Sequence, residues 1–166
     1  MPDDIEQIPE KTRWAMATQA LTGAYIAISN ALQQAVGQEK FDAFNGPLWF
    51  EAGKGAKPFA DELGLPQKTA GDLEKVMHLL AKAAMGPEFE FNIIESTDDR
   101  CVGTTTKCPW QKRWSEQGLT MDTCGAGHQN WGAGACEAMN PEFTFKLTKN
   151  MVAGDPHCEW VVERKK

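Results

Sequence analysis

The residues able to do chemistry gather in one stretch, Thr104 to Trp160, which holds every cysteine but Cys101 and two of the three histidines. Cys108 stands before Pro109, where a strand should give way to a helix carrying Trp110 and Trp114 on one face. Proline suits the first helical position, so Cys108 falls at the N-cap with its sulfur near unpaired amide hydrogens. Helix starts lower a thiol pKa, and Lys107 and Lys112 add positive potential. On this reading Cys108 is a nucleophile or a metal ligand. The competing reading is a buried, small apolar cap.

Cys124 and His128 form a C-x3-H pair followed by glycines at 125, 127, 132 and 134. This is not a dinucleotide fingerprint, because Asn130 takes the third glycine's place and no strand leads in. With Cys108 or Cys136 the pair could hold zinc or iron. Otherwise the glycines make a loop or let a helix pack closely. Asp155 and His157 fall in the turn before the last strand. Cys158 shares a face with Trp160 and Val162 as a small core residue, while His157 points the other way and would be a general base if the fold brings it to Cys108. Five cysteines without a CxxC read as thiols or ligands rather than disulfides.

The elements that position these residues follow from periodicity. Trp14, Ala17, Leu21, Ala24, Tyr25, Ile28, Leu32 and Ala35 recur at helical spacing over Thr12 to Val36, and Gly37 closes that helix. A second helix through Phe41 and Phe44 is expected to break at Gly46-Pro47 and resume through Phe50. A short helix over Pro58 to Leu63 comes next. Thr69-Ala-Gly-Asp72 has the form of a capping box before a third amphipathic helix that carries Leu73, Val76, Met77 and Leu80 and ends at Gly86. His78 lies beside its stripe and reads as structural. From Pro87 the period becomes two, with strands near Phe89–Ile93, Arg100–Lys107, Phe143–Thr148 and Cys158–Glu163. The expected class is α+β: N-terminal helices, then a four-stranded antiparallel sheet of two hairpins with helices packed on one face. We expect one domain over residues 1–166, mainly helical to 86 and sheet beyond, behind a loose arm at residues 1–9.

Composition sets outer limits. A net charge of -6 and a pI near 5.1 exclude the basic surface that nucleic acid needs. No apolar run reaches the ~18 residues of a membrane span. The acidic start is unlike a secretory signal, which gives a cytoplasmic expectation. The chain should fold by itself or as a small homo-oligomer, with a small molecule as its partner.

With these residues in view, the C-terminal half resembles the L-2-amino-thiazoline-4-carboxylic acid hydrolase family. The matching pieces are Glu88-Phe-Glu-Phe-Asn-Ile-Ile, Thr106-Lys-Cys108-Pro-Trp with Gly118-Leu119, Asn140-Pro-Glu-Phe-Thr-Phe-Lys-Leu-Thr-Lys, and Gly154-Asp-Pro-His-Cys158-Glu-Trp. Where the family tends to carry an acidic residue after its middle cysteine, this chain has Gly127-His128. The resemblance implies a hydrolase that opens a small cyclic C–N bond, of amide, amidine or thiazoline type. Cys108 is then the nucleophile or ligand, His157 or His128 the base, and Asp155 an orienting carboxylate. Trp110, Trp114, Trp131 and Thr106 would contact the substrate. No cofactor is required unless zinc or iron sits on Cys108, Cys124, His128 and Cys136. The alternative is a non-enzymatic small-molecule- or metal-binding domain of the vinyl-reductase type.

Overall fold

A computed structural model describes residues 4–119, 122 and 124–166, so part of the expected N-terminal arm lies outside the described residues. In the remainder of the arm Ile5–Gln7 form one 3-10 turn capped by Asp4. Helices α1 (Glu10–Val36), α2 (Gln38–Gly53), α3 (Ala56–Glu62) and α4 (Ala70–Met85) lead into strands β1 (Glu90–Ser96) and β2 (Arg100–Lys107). Helices α5 (Pro109–Glu116) and α6 (Gly125–Met139) then precede β3 (Phe143–Lys149) and β4 (Cys158–Arg164). The sheet runs β1-β2-β4-β3, antiparallel throughout, so the two hairpins join through β2 and β4. The α+β expectation holds.

Local chemistry explains most boundaries. Thr69 and Asp72 form the capping box reciprocally, each side chain bonded to the other's backbone amide, and this fixes the start of α4. Gly37 ends α1 with φ 83°, a left-handed conformation that suits glycine. Thr97 holds the β1–β2 turn through its hydroxyl, which accepts from the Arg100 amide at 2.9 Å.

Two expectations are corrected. Helix α2 runs unbroken through Pro47. Pro47 is exposed, so the carbonyl it leaves without a donor can turn to solvent, and the packing of α2 on α6 holds the helix together. The second correction concerns α1, whose buried face is Thr18, Thr22, Ile26, Ser29 and Gln33. The apolar stripe read from the sequence points largely outward, with Leu21 64% and Ile28 68% exposed.

The core lies between the sheet and α3, α4 and α6. Its tightest contact is α2 on α6, where the glycines replace side chains with backbone. A Cβ on Gly134 would enter the Phe50 carbonyl oxygen, and one on Gly53 would enter the Trp131 carbonyl oxygen. Gly132 likewise makes room for the Phe145 ring, so α6 can lie flat on the sheet. The glycine-rich stretch is therefore a close-packed helix rather than a loop. Because backbone cannot move aside as a side-chain tip can, Gly134→Ala should destabilise the protein by about 3 kcal/mol. The midpoint of urea unfolding checks this against Gly23→Ala, where an added Cβ meets nothing.

Candidate functional site

Cys108 caps α5 as its spacing implied, with extended φ and ψ of -104° and 118° and Pro109 at the first helical position. The next residue, Trp110, is buried against Tyr25 of α1, ring centroids 4.8 Å apart, and against Trp49 of α2 at 6.2 Å. Tyr25 accepts from Trp49 Nε1 and donates to Asn45 Oδ1, both at 2.6 Å, so this aromatic wall is hydrogen-bonded as well as packed. On its open side Cys108 lines a groove of about 310 Å³ with Glu88, Thr106, Gln111 and Lys112.

Cys124 precedes α6 and is set by Asp122. One Asp122 carboxylate oxygen accepts from the Cys124 amide at 2.8 Å and the Gly125 amide at 2.7 Å, and the other accepts from Asn150 Nδ2 at 2.9 Å. The Asp122 carbonyl accepts from Gln33 Nε2 at 2.9 Å and Gln38 Nε2 at 3.1 Å. Cys158 opens β4, and its sulfur accepts from the Met151 amide at 3.3 Å. The result is a cluster in which Cys124 interacts electrostatically with Cys108, Cys158 and Asp122.

All three thiols are held neutral. Burial pushes Cys108 up, against the pull of the Gln111 and Trp110 amides and of Arg113. Burial and its two sulfur neighbours push Cys124 well above the usual range, and burial takes Cys158 to about 11. The lowered pKa expected for Cys108 is therefore overturned: the short α5 and its amides are outweighed by desolvation. His128, one turn after Cys124, is pushed down to about 4 by burial and is neutral too. Cys108, Cys124 and His128 are half-buried.

The other predicted residues are dispersed. His157 approaches Lys149 Nζ at 3.2 Å and Glu159 Oε2 at 3.5 Å, away from the thiols' face of the sheet. Asp155 accepts from the Asn150 amide at 2.7 Å and so braces the β3–β4 turn. Trp131 packs against the core, Trp114 is half-buried on α5, and Thr106 is at the groove. Cys136 follows Cys124 by twelve residues, about 18 Å along α6, so these two cannot ligate one ion. Among the described residues no group of three or more histidine, cysteine, aspartate or glutamate side chains is arranged for a metal.

Sequence reasoning missed Asp122, Arg113 and Glu74. Glu74 lies fully buried on α4, accepting from Trp160 Nε1 at 2.9 Å through one oxygen, while its other oxygen has no partner among the described residues. Cys101 and Cys136 are close enough that its charge would raise them, to about 11 and about 12 with burial as the larger cause. Trp160 meets the Phe91 ring at 5.5 Å and His128 edge-on at 5.3 Å, which links Glu74 to the thiol cluster.

A model of the L-2-amino-thiazoline-4-carboxylic acid hydrolase family matches residues 16–161. The chain belongs to this family. A search of curated proteins finds no match. Among solved structures, this hydrolase-family chain is similar to the phenol-responsive sensory domain of the transcription activator PoxR with phenol, at 13% identity and TM-score 0.61, covering 86% of this chain and 74% of that one. It is also similar to trafficking protein particle complex subunit 3 from Naegleria fowleri covalently bound to palmitic acid, at 13% identity and TM-score 0.60, covering 91% and 96%. At such identity these two likenesses show a shared fold. No helix among the described residues of the family member is long and apolar enough to cross a membrane.

The buried ionisable groups predict a pH signature. Burial lifts Glu74 from 4.5 to about 7, so the folded state binds the extra proton and stability falls as pH rises through that window. His128, depressed from 6.5 to about 4, has the opposite effect: stability is lost as pH falls from 6.5. Glu74→Gln removes only the first. Its stability relative to wild type should improve by about 3 kcal/mol between pH 4.5 and 8, read from urea midpoints at each pH. A difference that stays constant with pH would mean that Glu74 is not held neutral.

Proposed function

We propose that the protein is a thiol-dependent hydrolase that opens a C–N bond in a small cyclic amidine of the 2-amino-thiazoline type. One observation carries this reading. Cys108 stands at a helix start with its sulfur beside the Trp110 and Gln111 amides, is one of the residues that line an open groove, and interacts electrostatically with the thiols of Cys124 and Cys158. Family membership supports the reaction class, and the groove of about 310 Å³ that Cys108 lines supports a small substrate.

In this mechanism the Cys108 sulfur adds to the carbon of the C=N group while its proton passes through neutral His128 to the ring nitrogen. The ring C–N bond then breaks; the exocyclic amino group gives a proton to the departing amine and becomes an imine. Water attacks the resulting thioimidate, the product leaves as a carbamoyl compound, and the thiol is restored. Because the resting thiol is neutral, the base must act as the S–C bond forms. The backbone amides near the sulfur stabilise the charge that develops there.

The substrate's carboxylate has donors at hand. Arg113 acts electrostatically on Cys108, and its Nη1 is buried without a partner among the described residues. Trp110 Nε1, three residues before it on α5 and so on the same side, also has no partner among the described residues. Asp155 and His157 brace and border the β3–β4 turn that carries Cys158.

A second reading is a non-enzymatic binding domain, and the resting neutrality of the thiols together with the fold of a phenol-responsive domain favours it. Conversion decides between the two. Cys108→Ser should abolish turnover of 2-amino-thiazoline-4-carboxylate while Cys101→Ser retains it, and wild-type kcat/KM should show no loss from protonation of the imidazole base between pH 9 and 6, because burial holds His128 down to about 4. Product analysis by mass spectrometry checks both; activity surviving in Cys108→Ser removes Cys108 from the chemistry. Arg113→Met should raise KM at least about tenfold with a smaller effect on kcat, since a lost carboxylate contact weakens ground-state and transition-state binding alike.

A further inference from the structure

The outward face of α1 is apolar along nearly its whole length. Ala17, Ala20, Leu21, Ala24, Ala27, Ile28, Ala31, Leu32 and Ala35 are all exposed and together cover an arc of about 140° at 100° per residue. Between Arg13 and Glu39 the chain has no charged residue. A lone solvated helix face in a globular protein is normally charged, so this one is built to be covered.

We infer that this face is the interface with a second copy of the chain, the two α1 helices lying antiparallel. The alanines at 17, 20, 24, 27 and 31 keep the alternating three- and four-residue steps of a coiled-coil seam, with small residues where the helices come closest. The pattern is complementary to itself when reversed about Ile26. That operation sets Ala20 against Leu32, Leu21 against Ala31, Ala24 against Ile28 and Ala17 against Ala35, so each large side chain meets a small one, as a two-fold interface requires. The ends agree in charge. Lys11 and Arg13 at the start of one helix come beside the carbonyl end of the other and the Glu39 that follows it, and antiparallel helix dipoles attract. Leu21, Ile28 and Leu32 supply the large apolar side chains that this pairing covers.

This pairing also reaches the functional site, because the inner face of the same helix supplies Tyr25 to the aromatic wall and Gln33 to Asp122. One helix thus carries the dimer on its outer side and the thiol cluster on its inner side.

Sedimentation equilibrium tests this. Wild type should have twice the 18.3 kDa chain mass, and so should Gln19→Glu, which adds a charge on α1 outside the arc. Ala24→Glu and Ile28→Glu should each weaken the dimer more than about tenfold while keeping the helical circular dichroism of wild type. The inference is overturned if wild type sediments as a monomer at roughly 100 μM. Dimers that persist in both glutamate variants also overturn it, as does a monomer whose α1 face instead binds lipid vesicles and loses them on Ala24→Glu.

Discussion

Much of the site depends on the hydrogen bonds of Asp122. This one residue receives amides from the start of α6, side chains from α1 and α2 through its carbonyl, and the Asn150 amide group from the β3–β4 turn. Three parts of the chain distant in sequence are tied at one point, and the sulfurs of Cys108, Cys124 and Cys158 are neighbours as a consequence. A carboxylate that accepts from so many donors is fixed in place, and the same bonds set the geometry around it. Close packing of α2 on α6 keeps the donors within reach.

That enclosure determines the electrostatics. A thiol at a helix start is ordinarily more acidic, but here desolvation outweighs a few amides, and the same desolvation makes His128 a neutral imidazole. Thiol and imidazole are both uncharged at rest. A neutral, desolvated thiol resists oxidation and metal capture. Glu74 extends the pattern into the core, an acid that burial raises to about 7 and that accepts from Trp160, whose ring lies against His128.

The strands, the capping box, the position of Cys108 and the family were legible in the sequence because each rests on local spacing or turn chemistry. The orientation of α1 was not. Its apolar stripe was found correctly, yet periodicity reports a face and not what covers it; here threonine, serine and glutamine face the body of the protein, where Thr18 and Thr22 satisfy their hydroxyls on backbone carbonyls of the preceding turn. Pro47 misled because helix propensity is a local rule and the α2–α6 contact is tertiary. Asp122 and Glu74 were invisible since an isolated acid in a loop or on a helix looks solvated until its distant partners are known. The C-x3-H pair was set beside Cys108 from the sequence, but its other sulfur neighbour, Cys158, lies thirty-four residues after Cys124 and was read only as a core residue.

The most direct measurement is intact-mass spectrometry of protein quenched in acid milliseconds after mixing with 2-amino-thiazoline-4-carboxylate, followed by peptide mapping. A transient adduct of substrate mass or its ring-opened equivalent on Cys108, decaying as carbamoyl product accumulates, is the result this account predicts. Unmodified protein with saturable binding and ligand recovered unchanged would contradict it and leave a binding domain in its place.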